Sequence, residues 1–321
     1  LGAGMGRRVY EDYIVCIERY LIPFFGAQYV TSINYVKIQQ FYEWRRERMG
    51  REPKASTLNT HNSAMNRVFE EAVARGFLAH KDVPMLANKG EGSERRPDFT
   101  RDEYRTLIRK LPHWIKEGKA GKPTDMRYLL RDYVLILANT GMRHGTEALN
   151  LRWKHITLFE EGGLQYLEMS VRGKTGRRDI ICRRGTINYL QRIHERSEDI
   201  KHIPFEKLLR DRVDLPVFRL PDGTVSKNLH QTFRALVTET GLITCPRTSQ
   251  NRTLYSLRHT YATFALLNDG MDIHALAIQM GTSIGMIERH YSHLTPRLKK
   301  DMLTGKRHDL PADDFLQRYK S

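Results

Sequence analysis

In the first ninety positions apolar residues recur at three- and four-residue steps, the spacing that lines one face of an α-helix. Between Ile33 and Met49 they are Tyr35, Ile38, Phe41, Tyr42 and Trp44. The run Arg45-Arg46-Glu47-Arg48, followed by Gly50, ends the helix they predict. A second stripe after Pro53, formed by Leu58, Met65, Val68, Phe69, Ala72 and Val73, runs to Gly76. Ser56 or Thr57 is the expected cap of that helix. Its other face carries the short polar side chains Thr57, Asn59, Thr60, Asn62, Ser63 and Asn66.

From Asn88 to Pro97 the chain has no apolar residue, two glycines and a closing proline, the composition of a linker. The expected organisation is a helical domain over 1–90, a linker at 91–97 and a second domain over 98–321. That second domain opens with Thr100 and, three residues on, Glu103, a capping-box pattern at the start of a helix expected to run to about Leu111. A helix from about Met126 to Asn139 contains Val134-Leu135-Ile136-Leu137-Ala138, too apolar for an exposed surface. Sheet signals follow: Leu164 to Val171, the turn residues Gly173 to Gly176, and Arg178 to Cys182. The rest reads as helical. The predicted class is mostly α with a small antiparallel β-sheet.

Composition narrows the possibilities. The 321 residues include 53 Lys plus Arg against 37 Asp plus Glu, a net charge of +16. The excess is +4 over 1–97 and +12 over 98–321, so it belongs to folded bodies and not to a basic tail. Such a balance points to a polyanion, most simply nucleic acid, although ribosome-associated and heparin-binding proteins share it. Hydrophobic residues make up 40%, too many for a disordered chain. No apolar run approaches the length of a membrane span, so a soluble protein is expected. Cys16, Cys182 and Cys245 are too few and too scattered for a disulfide scaffold or a zinc site, which fits a reducing cytoplasm. With a nucleic-acid partner, the polar face of Thr57, Asn59, Asn62 and Asn66 reads equally as solvated surface or as a surface against a DNA backbone.

Four segments of the second domain carry candidate chemistry. In Asn139-Thr140-Gly141-Met142-Arg143 an arginine sits at a break between apolar helices, where it reads alone as a helix-capping residue. Around the hairpin turn, Arg172, Lys174, Arg177 and Arg178 place four cations in seven positions, enough for phosphate contacts. Tyr255 and Arg258, three apart, share a helix face. In the segment from Met280 to His293, Ile284, Ile287 and Tyr291 step along one face, so Tyr291 alone reads as a core aromatic.

In order and spacing, from Thr100 to Pro296, these segments resemble the tyrosine recombinases of the phage-integrase type. The family pattern has an arginine after Thr-Gly, a hairpin lysine, a His-x-x-Arg, a further His or Trp, and a nucleophilic tyrosine about nine residues beyond. Arg143, Lys174, Arg258 and Tyr291 stand at the arginine, lysine, second-arginine and tyrosine places. The first domain resembles the family's helical core-binding domain by position and length. Three departures stand out. Tyr255 replaces the first histidine of His-x-x-Arg, and Thr282 occupies the His/Trp place. The acidic residue that usually follows the first arginine by three is here Glu147, four away, as though one residue were inserted.

The resemblance implies a helical core-binding domain and a mixed α+β catalytic domain that cleaves and rejoins DNA through a 3′-phosphotyrosyl intermediate. It implies double-stranded recombination sites as partner, a homo-tetramer on paired sites, and accessory DNA-bending or directionality proteins. A cytoplasmic, nucleoid-associated protein of a mobile element or resolution system is expected, with no cofactor and no metal. The start at Leu1 leaves room for the arm-binding domain that many relatives carry upstream. Arg143 and Arg258 are expected to clamp the phosphate, because a guanidinium fork is always charged and bidentate. Lys174 is the expected proton donor to the leaving oxygen. Tyr255 and Thr282 are expected to hold the scissile phosphate by hydrogen bonds. His259 and His290 are the remaining imidazoles nearby, and either can supply part of the missing base function, His259 reading first as a packed structural histidine. Two alternatives stay open: a type IB topoisomerase, which shares the tyrosine chemistry, and a DNA-binding relative weakened in catalysis.

Overall fold

The computed structural model describes residues 6–90, 96–173, 176–226, 229–291 and Leu303. Packing divides the chain into two compact units, residues 1–95 and 96–321. The expected linker at 91–97 falls mostly outside the described residues, but Arg96 and Pro97 belong to the second unit, where Arg96 donates to Thr253 Oγ1 at 3.1 Å.

The first unit is helical. Helix α1 (Gly6–Cys16) continues through a π-helical turn, Ile17–Leu21, into the short α2 (Ile22–Phe25). Helix α3 (Tyr35–Met49) is capped by Asn34, whose side chain accepts from the Lys37 N–H, and ends at Gly50. Helix α4 (Ala55–Ala74) begins earlier than its apolar stripe suggests, and neither Ser56 nor Thr57 caps it. Lys54 stands at that position without a side-chain bond. The core joins Phe25, Ile38, Phe41, Met65 and Phe69. Arg45 is buried among them, with its guanidinium 5.0 Å and 4.8 Å from the Phe41 and Tyr42 rings.

In the second unit, Thr100 and Glu103 complete the capping box that opens α5 (Arg101–Lys116). This helix runs past the expected end at Leu111 and through Pro112, because Trp114 and Ile115 in its last turn are buried in the core. Helix α6 (Lys122–Thr140) is buried along most of its length, as its unbroken apolar run requires. A three-stranded antiparallel sheet follows, in the order β1 (Ile156–Glu161), β2 (Leu164–Gly173), β3 (Gly176–Ile181). Strand β1 carries a weak sequence signal, because it is half exposed and its last residues are acidic. The chain is then helical: α7 (Thr186–Arg196), α8 (Phe205–Arg210), α9 (Leu229–Glu239), α10 (Leu254–Leu267), α11 (Ile273–Met280) and α12 (Ile284–Tyr291). Helix α10 packs on α6 and is buried on almost every face. A smaller cluster joins Tyr261, Ala265, Leu276, Met280, Ile287 and Tyr291, tying α10, α11 and α12 together. Among the described residues no helix is long and apolar enough to cross a membrane.

Candidate active site

Arg143 follows the end of α6, where Gly141 adopts a left-handed conformation and stops the helix. The next turn is wide: the Ala148 N–H donates to the Arg143 carbonyl, a five-residue step. An α-turn would have four, so the extra residue noted in the sequence is absorbed here and Glu147 returns to Arg143. Glu147 Oε2 accepts from the Arg143 backbone N–H at 2.7 Å, and Oε1 accepts from its guanidinium.

The same carboxylate takes a bidentate bond from Arg178 on β3, at 2.7 and 2.8 Å. Arg178 was expected to reach DNA; the structure turns it inward instead. Side chains alternate along a strand, so Arg178 shares the inner face with the fully buried Ile180. Arg177 and its cross-strand partner Arg172 take the exposed face. The alternation was readable in the sequence, and it separates the two adjacent arginines.

Glu147 is fully buried, which by itself raises its pKa, but the bonds from Arg178 and Arg143 outweigh burial and hold the carboxyl down at about 2, against an ordinary 4.5. A carboxyl depressed in this way contributes stability that is present above pH 4.5 and is lost as pH falls toward 2. The melting temperature is therefore expected to drop more steeply across that window in the wild type than in Glu147→Gln. Parallel curves in thermal melts would remove Glu147 from this role.

Arg258 projects from the buried helix α10 and is only 3% exposed. Its two terminal nitrogens donate to the carbonyls of Gly141 at 2.5 Å and Met280 at 2.6 Å. Burial pushes its pKa down to about 10, and the neighbouring charge of Arg143 adds to the effect. Arg143 itself donates to the Gly281 carbonyl at 2.5 Å. Both guanidiniums thus converge on the carbonyl end of α11, which attracts cations. Gly281 caps that helix with φ +59, and a Cβ there would meet the Arg178 guanidinium at 2.7 Å. A Cβ on Gly173, at the mouth of the hairpin, would meet Glu147 Oε1 at 2.6 Å and an Arg143 nitrogen at 3.3 Å. A side chain at Gly173 would push the Glu147 carboxylate away from its present bonds to the arginines. Lys174, the next residue, lies outside the described residues.

Three guanidiniums around one carboxylate leave an excess of positive charge, which suits a phosphate. A cleft of about 510 Å³ opens beside them, lined by Gly176, Arg177, Arg178, His274, Gly281 and Thr282. Thr282 is half-buried there, its backbone N–H bonded to the Ala277 carbonyl.

Tyr291 ends α12 and is 4% exposed. Its Oη lies 2.8 Å from Nδ1 of His259, one residue beyond Arg258. Tyr255, one turn earlier on α10, sets its ring edge-on to His259 at 5.3 Å, and the Arg96 guanidinium lies 5.6 Å over the Tyr255 ring. His290 stands 6.0 Å from His259. A further pair backs the Arg143 turn: Tyr133 Oη bonds His144 Nδ1 at 2.7 Å.

The structure therefore gathers Arg143, Arg258 and Thr282 around the Gly281 turn, and Tyr255 and Tyr291 around His259. The residues of α4 lie in the other unit. Asn59 accepts from Asn88 at 2.6 Å, and Asn62 donates to the Ala87 carbonyl at 3.1 Å, so both anchor the segment leaving the unit. Thr57 is half-buried and Asn66 is exposed.

A buried helix carrying an arginine, a second arginine after a Gly turn, a basic hairpin and a tyrosine ending a late helix together define the catalytic domain of a tyrosine recombinase. The chain belongs to the phage integrase family, whose sequence profile matches residues 98–297, and is an enzyme of site-specific recombination. Solved structures share the fold. The XerH recombinase bound to palindromic difH DNA in a post-cleavage complex is 17% identical, with a TM-score of 0.66 over 93% of this chain and 79% of that one. The Tn1549 transposon integrase in complex with transposon right-end DNA is 17% identical, with a TM-score of 0.64 over 94% and 96%. A lambda integrase dimer bound to a core site is 15% identical, with a TM-score of 0.61 over 90% of each. Among curated protein sequences none matches.

Proposed function

We propose that this recombinase cleaves one DNA strand by attack of Tyr291 Oη on a phosphodiester, forming a 3′-phosphotyrosyl bond and releasing a 5′-hydroxyl. A second 5′-hydroxyl reverses the step on a new strand, and the ester energy is kept in the linkage throughout. The observation that carries the reading is the placement of Tyr291 on His259, next in sequence to the buried Arg258. Negative charge grows on the non-bridging oxygens as phosphorus becomes five-coordinate. Cations already in place stabilise that charge without reorganisation. Arg143 and Arg258 supply them, and their anchoring to Glu147 and to the α11 carbonyls keeps their forks oriented. Arg172 and Arg177, exposed on the hairpin, hold flanking phosphates. The helical unit, with Thr57, Asn59, Asn62 and Asn66 on α4, holds the duplex further along.

The working assembly is a tetramer on paired sites, as in the lambda integrase tetramer bound to a Holliday junction. Accessory DNA-bending proteins, a mobile element as host and a cytoplasmic, nucleoid-bound location complete this reading. A nicked suicide duplex, selected by the protein from a randomised pool, tests it: a covalent complex that survives denaturation is expected. Binding without any covalent product would leave only a DNA-binding protein.

Lys174 donates the proton that the leaving 5′-oxygen needs. Lys174→Ala is expected to block cleavage of ordinary DNA. A 5′-bridging sulfur leaves without a proton, so the variant is expected to cleave such a substrate at close to the wild-type rate. No rescue removes Lys174 from the role.

A further inference from the structure

The family pattern calls for an imidazole at the position held here by Tyr255, a phenol, which has no ring nitrogen to accept a proton. The geometry points to His259 as the general base for Tyr291, the imidazole having moved one helical turn along α10. This inference rests on the recombinase reading and adds to it the group that takes the proton.

Three observations carry it. Nδ1 of His259 lies 2.8 Å from Tyr291 Oη, within the distance at which a base takes a proton directly. Residues 255 and 259 are one turn apart on one face of α10, with ring centroids 5.3 Å apart, so the imidazole borders the place its predecessor would fill. Both partners are withdrawn from solvent, His259 at 7% and Tyr291 at 4% exposure, so bulk water competes little for the phenolic proton. His290 is the rival imidazole. Its ring centre lies 6.4 Å from that of Tyr291, little further than the 5.9 Å of His259, but it precedes Tyr291 on the same helix, whereas His259 comes from the helix that also carries Arg258 and is bonded to the phenol through Nδ1. One side chain of α10 thus faces the phosphate while the next faces the nucleophile.

In the step, the neutral His259 tautomer with Nδ1 unprotonated accepts the Tyr291 hydroxyl proton as the Oη–P bond forms. The P–O5′ bond breaks, and O5′ takes its proton from Lys174. On rejoining, the incoming 5′-hydroxyl gives its proton to the neutral Lys174 amine as it attacks phosphorus. The Oη–P bond breaks and His259 returns the proton to Oη. Atoms and charge balance over the two halves.

The test is single-turnover formation of the covalent complex on the selected suicide duplex at saturating protein. His259→Gln keeps a polar side chain but cannot act as a base at neutral pH. It is expected to lower the rate about 100-fold, and His259→Ala similarly, while DNA affinity holds. Added imidazole is expected to restore part of the rate to His259→Ala. The 5′-bridging sulfur substrate is expected to leave both variants slow, because their defect lies in the nucleophile and not in the leaving group. A His259→Gln rate within about threefold of wild type overturns the assignment, as does rescue by the sulfur substrate. So does a larger loss in His290→Gln than in His259→Gln. If the wild type itself forms no covalent complex, the recombinase reading fails first and takes this one with it. Melting curves of each variant separate loss of chemistry from loss of fold.

Discussion

Tyr291→Phe is expected to abolish the covalent protein–DNA complex while leaving DNA binding intact. The change removes one hydroxyl from a side chain that belongs to the buried cluster with Ile287 and Met280, so its ring keeps its place in that cluster. It also removes the hydrogen bond to His259, which at about 1 kcal/mol is too little to unfold the domain. No neighbouring side chain is expected to substitute, because an attacking group must reach phosphorus in line with the leaving oxygen. Gel separation after denaturation reads the outcome directly. Any covalent adduct in Tyr291→Phe would transfer the nucleophile to another residue, Tyr255 being the first to examine.

Arg258→Ala is expected to slow cleavage by about 10²- to 10³-fold, the usual cost of removing a donor aimed at transition-state charge. The loss has two parts. The guanidinium no longer meets the phosphate, and the carbonyls of Gly141 and Met280 lose their donor inside the protein, at a cost of about 1–3 kcal/mol each. Arg258→Lys is expected to recover little, since an ammonium cannot span two carbonyls and a phosphate with a planar fork. Tyr255→Phe is expected to cost much less than Arg258→Ala, because Tyr255 offers one hydrogen bond and no charge. Single-turnover rates at saturating DNA decide the order. If Tyr255→Phe proved the more damaging, the phenol would be central to phosphate binding and Arg258 mainly a packing residue.

Residue order alone picks out most of the candidate site. Arg143, Arg258 and Tyr291 stand where the family spacing puts them, and the structure collects the two arginines on a single turn, Met280 to Gly281. Glu147 stands one residue further from Arg143 than the family spacing has it. A turn one residue wider returns the carboxylate to Arg143. Composition groups Arg178 with three other cations, whereas the period of two in a strand sends it and Arg177 to opposite faces. His259 reads locally as a packed residue, because its link to Tyr291 joins residues 32 apart in the chain. The helix stop expected before Pro112 and the weakly signalled strand β1 share a cause. Local propensity was overruled by burial in one case and was too weak to register in the other.

By itself the sequence determined the class of this protein, because recombinase chemistry needs particular side chains at intervals set by helix and hairpin lengths, and intervals are written in the chain. It also determined the basic excess of +16 that a DNA partner requires. Only the tertiary structure decided which cations are spent on the protein's own carboxylate and carbonyls, and which imidazole meets Tyr291. Those choices depend on the directions in which α6, α10, α11 and the hairpin project their side chains. Directions arise from packing among distant segments, and no spacing along the chain encodes them.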